Sequence, residues 1–310
     1  MYAADAANPS IVSAQAASRP APAWLLLIIA IAFAVAEVWL TVRLWRLISP
    51  AVAAPLAGLG PWGQLLSASL FNLLVFAPLL AAALVGCAVE GRRLWARGAR
   101  QGGYAALGLL LGAGGFGVAL GLAALAGVVV PGHESVAGAP TLIALTGGVL
   151  VIGFQSAAEE IYFRGWLQPV LCARWGAWPG LVAGALAFSA LHMVAGARSP
   201  MAVANLFLGG LVFGLLALRS GGLWAPILAH FGWNWLEACG VGLEPNPGVG
   251  PTGALVNLDL AGARLWSGGA DDMNGSLAAI LVLAALALGL LVLPPIRPAA
   301  PEARRSGSAP

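Results

Sequence analysis

The chain has 310 residues, 60% of them hydrophobic and only 9% charged, with a mean hydropathy of +0.89. Soluble domains carry about 25% charged residues, so this composition excludes a water-soluble globular protein and describes a multi-pass membrane protein. The net charge of +3 comes from fifteen arginines without a lysine, too slight an excess to argue for a nucleic-acid partner.

Residues Met1 to Ala23, rich in Ala, Ser and Pro, are predicted to be a disordered tail. A transmembrane domain over 24–296 follows, with eight apolar segments that each meet the roughly 20 helical residues a bilayer needs. They run Trp24 to Val42, Leu65 to Val89, Tyr104 to Val130, Pro140 to Cys172, Pro179 to Gly196, Met201 to Leu218, Leu223 to Gly240, and Leu277 to Leu293. The fold class is therefore all-α, a polytopic transmembrane helix bundle of about eight spans, ending in a polar tail over 297–310. The first segment is read as a span because its apolar run exceeds the 7–15 residues of a secretory signal. Twelve Trp and forty-two Gly fit the class, since Trp favours interfaces and Gly lets helices approach closely.

Arg92, Arg93, Arg97 and Arg100 between the second and third segments mark that loop as cytoplasmic. Alternation then places both termini in the cytoplasm and the loop from Val241 to Ser276 outside. Arg43 and Arg46 run against this topology, as the first span would end before them. A bacterial cytoplasmic membrane is the expected location, since the lysine-free bias reads as a GC-rich genome. Cys87, Cys172 and Cys239 lie far apart without a C-x-x-C pair, so they read as buried inert thiols.

The fourth segment is too long for one straight span, and Gly165 and Pro169 are the predicted places for it to bend or stop. It also carries Glu159, Glu160 and Arg164, and ionisable groups inside a bilayer tend to face a protein interior and to be functional. Glu160 and Arg164 stand i, i+4 and predict an ion pair. Glu159 points about 100° away and has no charged partner on its helix. A carboxylate kept from water gains affinity for a proton, the property of a general base. His192 sits in the fifth segment, and His230 and Asn234 share one face of the seventh. Counted along their segments, all four groups fall roughly 13–20 Å from the cytoplasmic face, which predicts a polar cavity open to that side. Glu237 reads as an interfacial carboxylate, His133 as a solvated loop residue, and Glu37 has no evident partner.

The ordered set E-E-x-x-x-R at Glu159, Glu160 and Arg164, F-x-x-x-H at Phe188 and His192, and H-x-x-x-N at His230 and Asn234 resembles the CPBP (Abi) family. This family comprises CAAX-processing and bacteriocin-processing intramembrane proteases and includes the type II CAAX prenyl endopeptidase. The likeness covers about residues 140–240. It implies that Glu159 and His192 activate a water for attack on a peptide carbonyl. His230 and Asn234 would stabilise the oxyanion or help hold a metal, with Glu160 and Arg164 supporting them. Glu159, His192 and His230 could form a three-ligand set for zinc or another divalent cation. The same groups also suffice for a general base and oxyanion stabilisation without metal. The expected partners are membrane lipids and a peptide or membrane-protein substrate. A non-enzymatic immunity or scaffold protein of the same fold, and an ion- or proton-coupled transporter, are the competing readings.

Overall fold

Long runs of Leu, Ala, Val and Gly leave the backbone no hydrogen-bond partner in lipid except itself, and helices are the result. The computed structural model describes residues 8–94, 101–132, 137–196, 199–243 and 252–292. A short helix α1 (Pro9–Gln15) precedes α2 (Ala23–Leu56), α3 (Pro61–Glu90) and α4 (Gln101–Leu125). Next come α5 (Ala139–Trp175), α6 (Ala177–Ala195) and α7 (Pro200–Ser220). Helix α8 (Trp224–Trp235) continues as a π-helical turn over Leu236–Gly240, and α9 (Leu277–Val292) closes the order. Strands β1 (Val129–Pro131) and β2 (Leu258–Leu260) pair antiparallel outside the helices.

By length and composition, seven helices are able to cross a membrane. The eighth predicted span is α8, whose twelve α-helical and five π-helical residues fall short of that length. Its Ala225, Ala229, His230 and Trp233 are buried, so protein rather than lipid surrounds it. The approach of α4 makes this possible. A Cβ at Gly108 or Gly112 would strike the carbonyl oxygen of Ala225 or Ala229, so glycine alone allows this contact.

Three expectations change. Where the composition predicts a disordered tail, α1 forms. Asn8 caps it through Oδ1, which accepts from Ser10 N and Ile11 N, and its Nδ2 donates to Leu218 O at 2.9 Å. Helix α2 does not end at Val42 but continues to Leu56. Arg43 lays its guanidinium 3.3 Å over the ring of Trp39, which shields the charge along the helix. Glu37, without a partner in the sequence reading, accepts a 2.7 Å hydrogen bond from Thr41 Oγ1. The predicted tail after Arg297, together with Arg97, Arg100, His133 and Glu134, lies outside the described residues.

Helix α5 neither bends sharply nor stops at Gly165. It passes through two π-helical segments, Ala144–Gly148 and Ile161–Leu167, and reaches Trp175. Pro169 has no N–H to give the carbonyl four residues before it. Arg92 fills that role from the end of α3, donating from Nη1 to Gly165 O at 3.2 Å and from Nη2 to Trp166 O at 2.5 Å. Its charge is met by Glu90, 2.6 Å away.

The contacts between helix ends define two faces. On one, which carries Arg92 and Arg174, Asn8 and Gln101 bond the C-terminal carbonyls of α7, and Arg219 bonds Leu290 O at the end of α9. On the other, β1 meets β2, and Ser199 N donates to Asp271 Oδ2 at 3.0 Å. We call these the arginine face and the strand face.

Candidate functional site

Every residue from 158 to 172 is buried, so α5 is enclosed by its neighbours at the level where it carries its charges. Adjacent positions on an α-helix point about 100° apart, which sends the two carboxylates to different helices. Glu159 faces α6, where its Oε2 lies 3.8 Å from His192 Nε2. Glu160 faces α8, where its Oε1 accepts from His230 Nδ1 at 2.9 Å. The same oxygen accepts from Arg164 Nη1 at 2.9 Å, the ion pair the i, i+4 spacing predicts. Arg164 also donates from Nη2 to Gly210 O at 3.0 Å, and one turn further Gln168 Nε2 donates to Gly214 O at 3.1 Å. These two bonds tie α5 to α7 at glycines, where no Cβ keeps the side chains from the backbone.

Aromatic rings complete the enclosure. The Arg164 guanidinium lies 4.5 Å from the Phe188 centroid and 5.4 Å from that of Phe213. Phe213 stacks on His230 at 4.7 Å and 17°. A buried cation thus has one carboxylate, one carbonyl and two ring faces around it, the provision a desolvated charge requires.

The histidine tautomers follow from their partners. His192 Nδ1 lies 2.9 Å from the carbonyl oxygen of Phe188, which can only accept, so Nδ1 carries the proton. In neutral His192, the Nε2 facing Glu159 is then an acceptor. An ionised Glu159 is an acceptor too. Two acceptors 3.8 Å apart are joined by a molecule that donates to both, and water is the smallest that does. The spacing F-x-x-x-H has a physical basis here, because Phe188 supplies both the orienting carbonyl and a ring packed 4.4 Å from the imidazole.

His192, His230 and Asn234 line one cavity of about 40 Å³, room for about three waters. Asn205 of α7 and Asn274, from the 3₁₀ turn Gly269–Gly275, line it as well. Asn205 Nδ2 donates to Asn274 Oδ1 at 3.3 Å, and its own Oδ1, buried, has no partner. The turn is held in an unusual shape, with Asp272 the one non-glycine residue at positive φ (+44°) among the described residues.

Glu159 is not wholly without a partner on its own helix, since Gln155 Nε2 donates to its Oε1 at 3.3 Å. Glu237 is not interfacial. It is fully buried, and Trp233 Nε1 donates to it at 3.2 Å. Sequence reasoning missed Gln155, Asn205, Phe213 and Asn274. An amide in the apolar run of α7 was a usable signal for Asn205, and nothing local marks Asn274. Among the described residues, no three His, Cys, Asp or Glu side chains group as a metal site. His230 Nδ1 is committed to Glu160, so the anticipated set of Glu159, His192 and His230 does not close around a cation.

The cavity does not lie toward the cytoplasmic side as the sequence reading expects. Counting segment by segment took depth from one end only. His192 is three residues, roughly 5 Å, from the strand-face end of α6, and Asn205 is five residues, roughly 8 Å, from the start of α7. Asn274 belongs to the strand-face turn itself.

The fold and site define a polytopic helical membrane protein with a buried polar centre. Residues 140–236 match the family described as Type II CAAX prenyl endopeptidase Rce1-like, the segment that carries all three motifs. No curated protein and no solved structure matches the chain.

Proposed function

We propose that this protein is an intramembrane endopeptidase that hydrolyses a peptide bond in a membrane-anchored substrate, CAAX-like or bacteriocin-like. The observation that carries the reading is the facing pair of acceptors, Glu159 Oε2 and His192 Nε2, 3.8 Å apart beside a polar cavity. A water donating to both has its oxygen lone pair free for a carbonyl carbon in the cavity. As the C–O bond forms, the pair takes up the water's proton, acting as general base. The oxyanion that develops is met by the Asn234 amide and by His230, which Glu160 and Arg164 hold in place. Collapse breaks the C–N bond, and the proton held at Glu159 and His192 passes to the leaving nitrogen. No step runs through a metal, since the donor set does not close. The Rce1-like match over 140–236 supports the same reaction class.

The test is cleavage by protein reconstituted in lipid, with products identified by mass spectrometry. Reaction in ¹⁸O-labelled water is expected to place one heavy oxygen in the new carboxylate. The Glu159→Gln variant is expected to release no product. Equal product from that variant, or no product from wild type over a panel of anchored peptides, ends the proposal.

A further inference from the structure

The position of the cavity along its helices bears on which peptides reach it. Its outer members come from the strand-face ends of three elements, namely His192 of α6, Asn205 of α7 and Asn274 of the Gly269–Gly275 turn. Its inner members, Phe213 and His230, lie near the middle of the bundle. His192, Asn234 and Asn274 are partly exposed whereas His230 is buried, so exposure falls from the strand face inward.

The charges are divided between the same two faces. Ten of the fifteen arginines precede α2, join α3 to α4, end α5 or α7, or follow α9, all on the arginine face. Four others, Arg43, Arg46, Arg198 and Arg264, belong to the strand-face half of the chain, and Arg164 is buried. Ten plus four plus one accounts for all fifteen. The stretches 126–138 and 241–276 carry Glu134, Glu237, Glu244, Asp259, Asp271 and Asp272 against the single Arg264. Arginine-rich short loops stay in the cytoplasm, so the arginine face is the cytoplasmic one.

From these two asymmetries we infer that the candidate site is entered from the extracytoplasmic side. Its substrate is then a peptide segment presented at the outer interface, as exported or outward-facing anchored peptides are, and not a cytoplasmic tail. The naming of a peptide rests on the proposed endopeptidase activity. The side of entry rests on geometry and charge alone.

Thiol accessibility tests the side without an activity assay. The three native cysteines are buried and give a low background. Single cysteines are placed by Asn274→Cys at the cavity rim, by Leu265→Cys at an exposed strand-face position, and by Arg174→Cys on the exposed arginine face. Spheroplasts of a bacterial host expressing the full chain are treated with a membrane-impermeant sulfonated maleimide. Asn274→Cys and Leu265→Cys are expected to label at least fivefold more strongly than Arg174→Cys, which labels only after permeabilisation. The reverse pattern overturns the inference. Leu265→Cys decides the side on its own if the rim variant misfolds. External labelling with no cleavage of externally added peptide leaves the side of entry standing and removes the protease reading. Cleavage only of peptides enclosed on the arginine face removes the side of entry and leaves the protease.

Discussion

Helices α2 to α4 and helices α5 to α7 are similarly apolar yet use that property in opposite ways. The most hydrophobic stretch of α3 is 22% buried and that of α7 is 61% buried. In α2, Trp24, Ile28, Leu40 and Leu47 point away from protein, Leu47 being 78% exposed. In α5, fifteen consecutive residues are enclosed, and the charges lie among them. Lipid is as apolar as leucine, so helices facing it need only satisfy their own backbone. A helix enclosed by others can carry Glu159, Glu160 and Arg164 because side chains replace the water those groups lose.

The largest expected contrast lies between the two adjacent carboxylates. Glu159→Gln should reduce cleavage by about 10²–10⁴-fold, the usual worth of a general base. Its thermal unfolding in detergent should stay close to wild type, because Glu159 accepts one long hydrogen bond, from Gln155. Glu160→Ala should unfold at clearly lower temperature, since breaking a buried ion pair costs about 3–5 kcal/mol. It loses cleavage as well, because His230 loses the acceptor that orients it. If Glu159→Gln proves the less stable of the two, the assigned roles are reversed.

A smaller effect tests the division between lipid-facing and enclosed surfaces. Gly112→Leu places a side chain against Ala229 O, one residue before His230. Overpacking costs about 1–3 kcal/mol, and we expect cleavage to fall at least tenfold although Gly112 lines no part of the cavity. Leu40→Ala on the lipid side of α2 should change stability by less than about 0.5 kcal/mol. Equal losses for the two would erase the contrast. The smallest effect is expected at Asn274→Ala. Losing one hydrogen-bonding amide at the rim should raise KM about three- to tenfold with kcat within twofold. A fall in kcat alone would place Asn274 in the chemistry instead.

The bundle and its boundaries were largely legible, since a bilayer imposes one length and one polarity on each span. The i, i+4 pair of Glu160 and Arg164 was legible for the same reason, because spacing on one helix fixes a contact. The union of Glu160 with His230 was not, as seventy residues separate them and only packing sets their register. The buried state of Glu237 was also hidden, because its partner Trp233 reads as an interfacial aromatic. The strand-face location of the cavity eluded the sequence because distance along a segment does not say which end is nearer when helices differ in length. Helix α8, the shortest in the site, shows this most plainly.

The seven-residue π segment after Glu160 has a consequence for how this chain tolerates change. Such a segment amounts to an extra amino acid slipped into an ordinary helix, commonly at a functional position. Removing a single residue between Ile161 and Leu167 would restore regular winding while turning everything downstream by about 100°. Gln168 would then swing off Gly214, and the carbonyls that Arg92 reaches would face elsewhere, while Glu159 and Glu160 kept their bearings. Length itself is therefore under constraint in this short stretch, independently of which letters fill it.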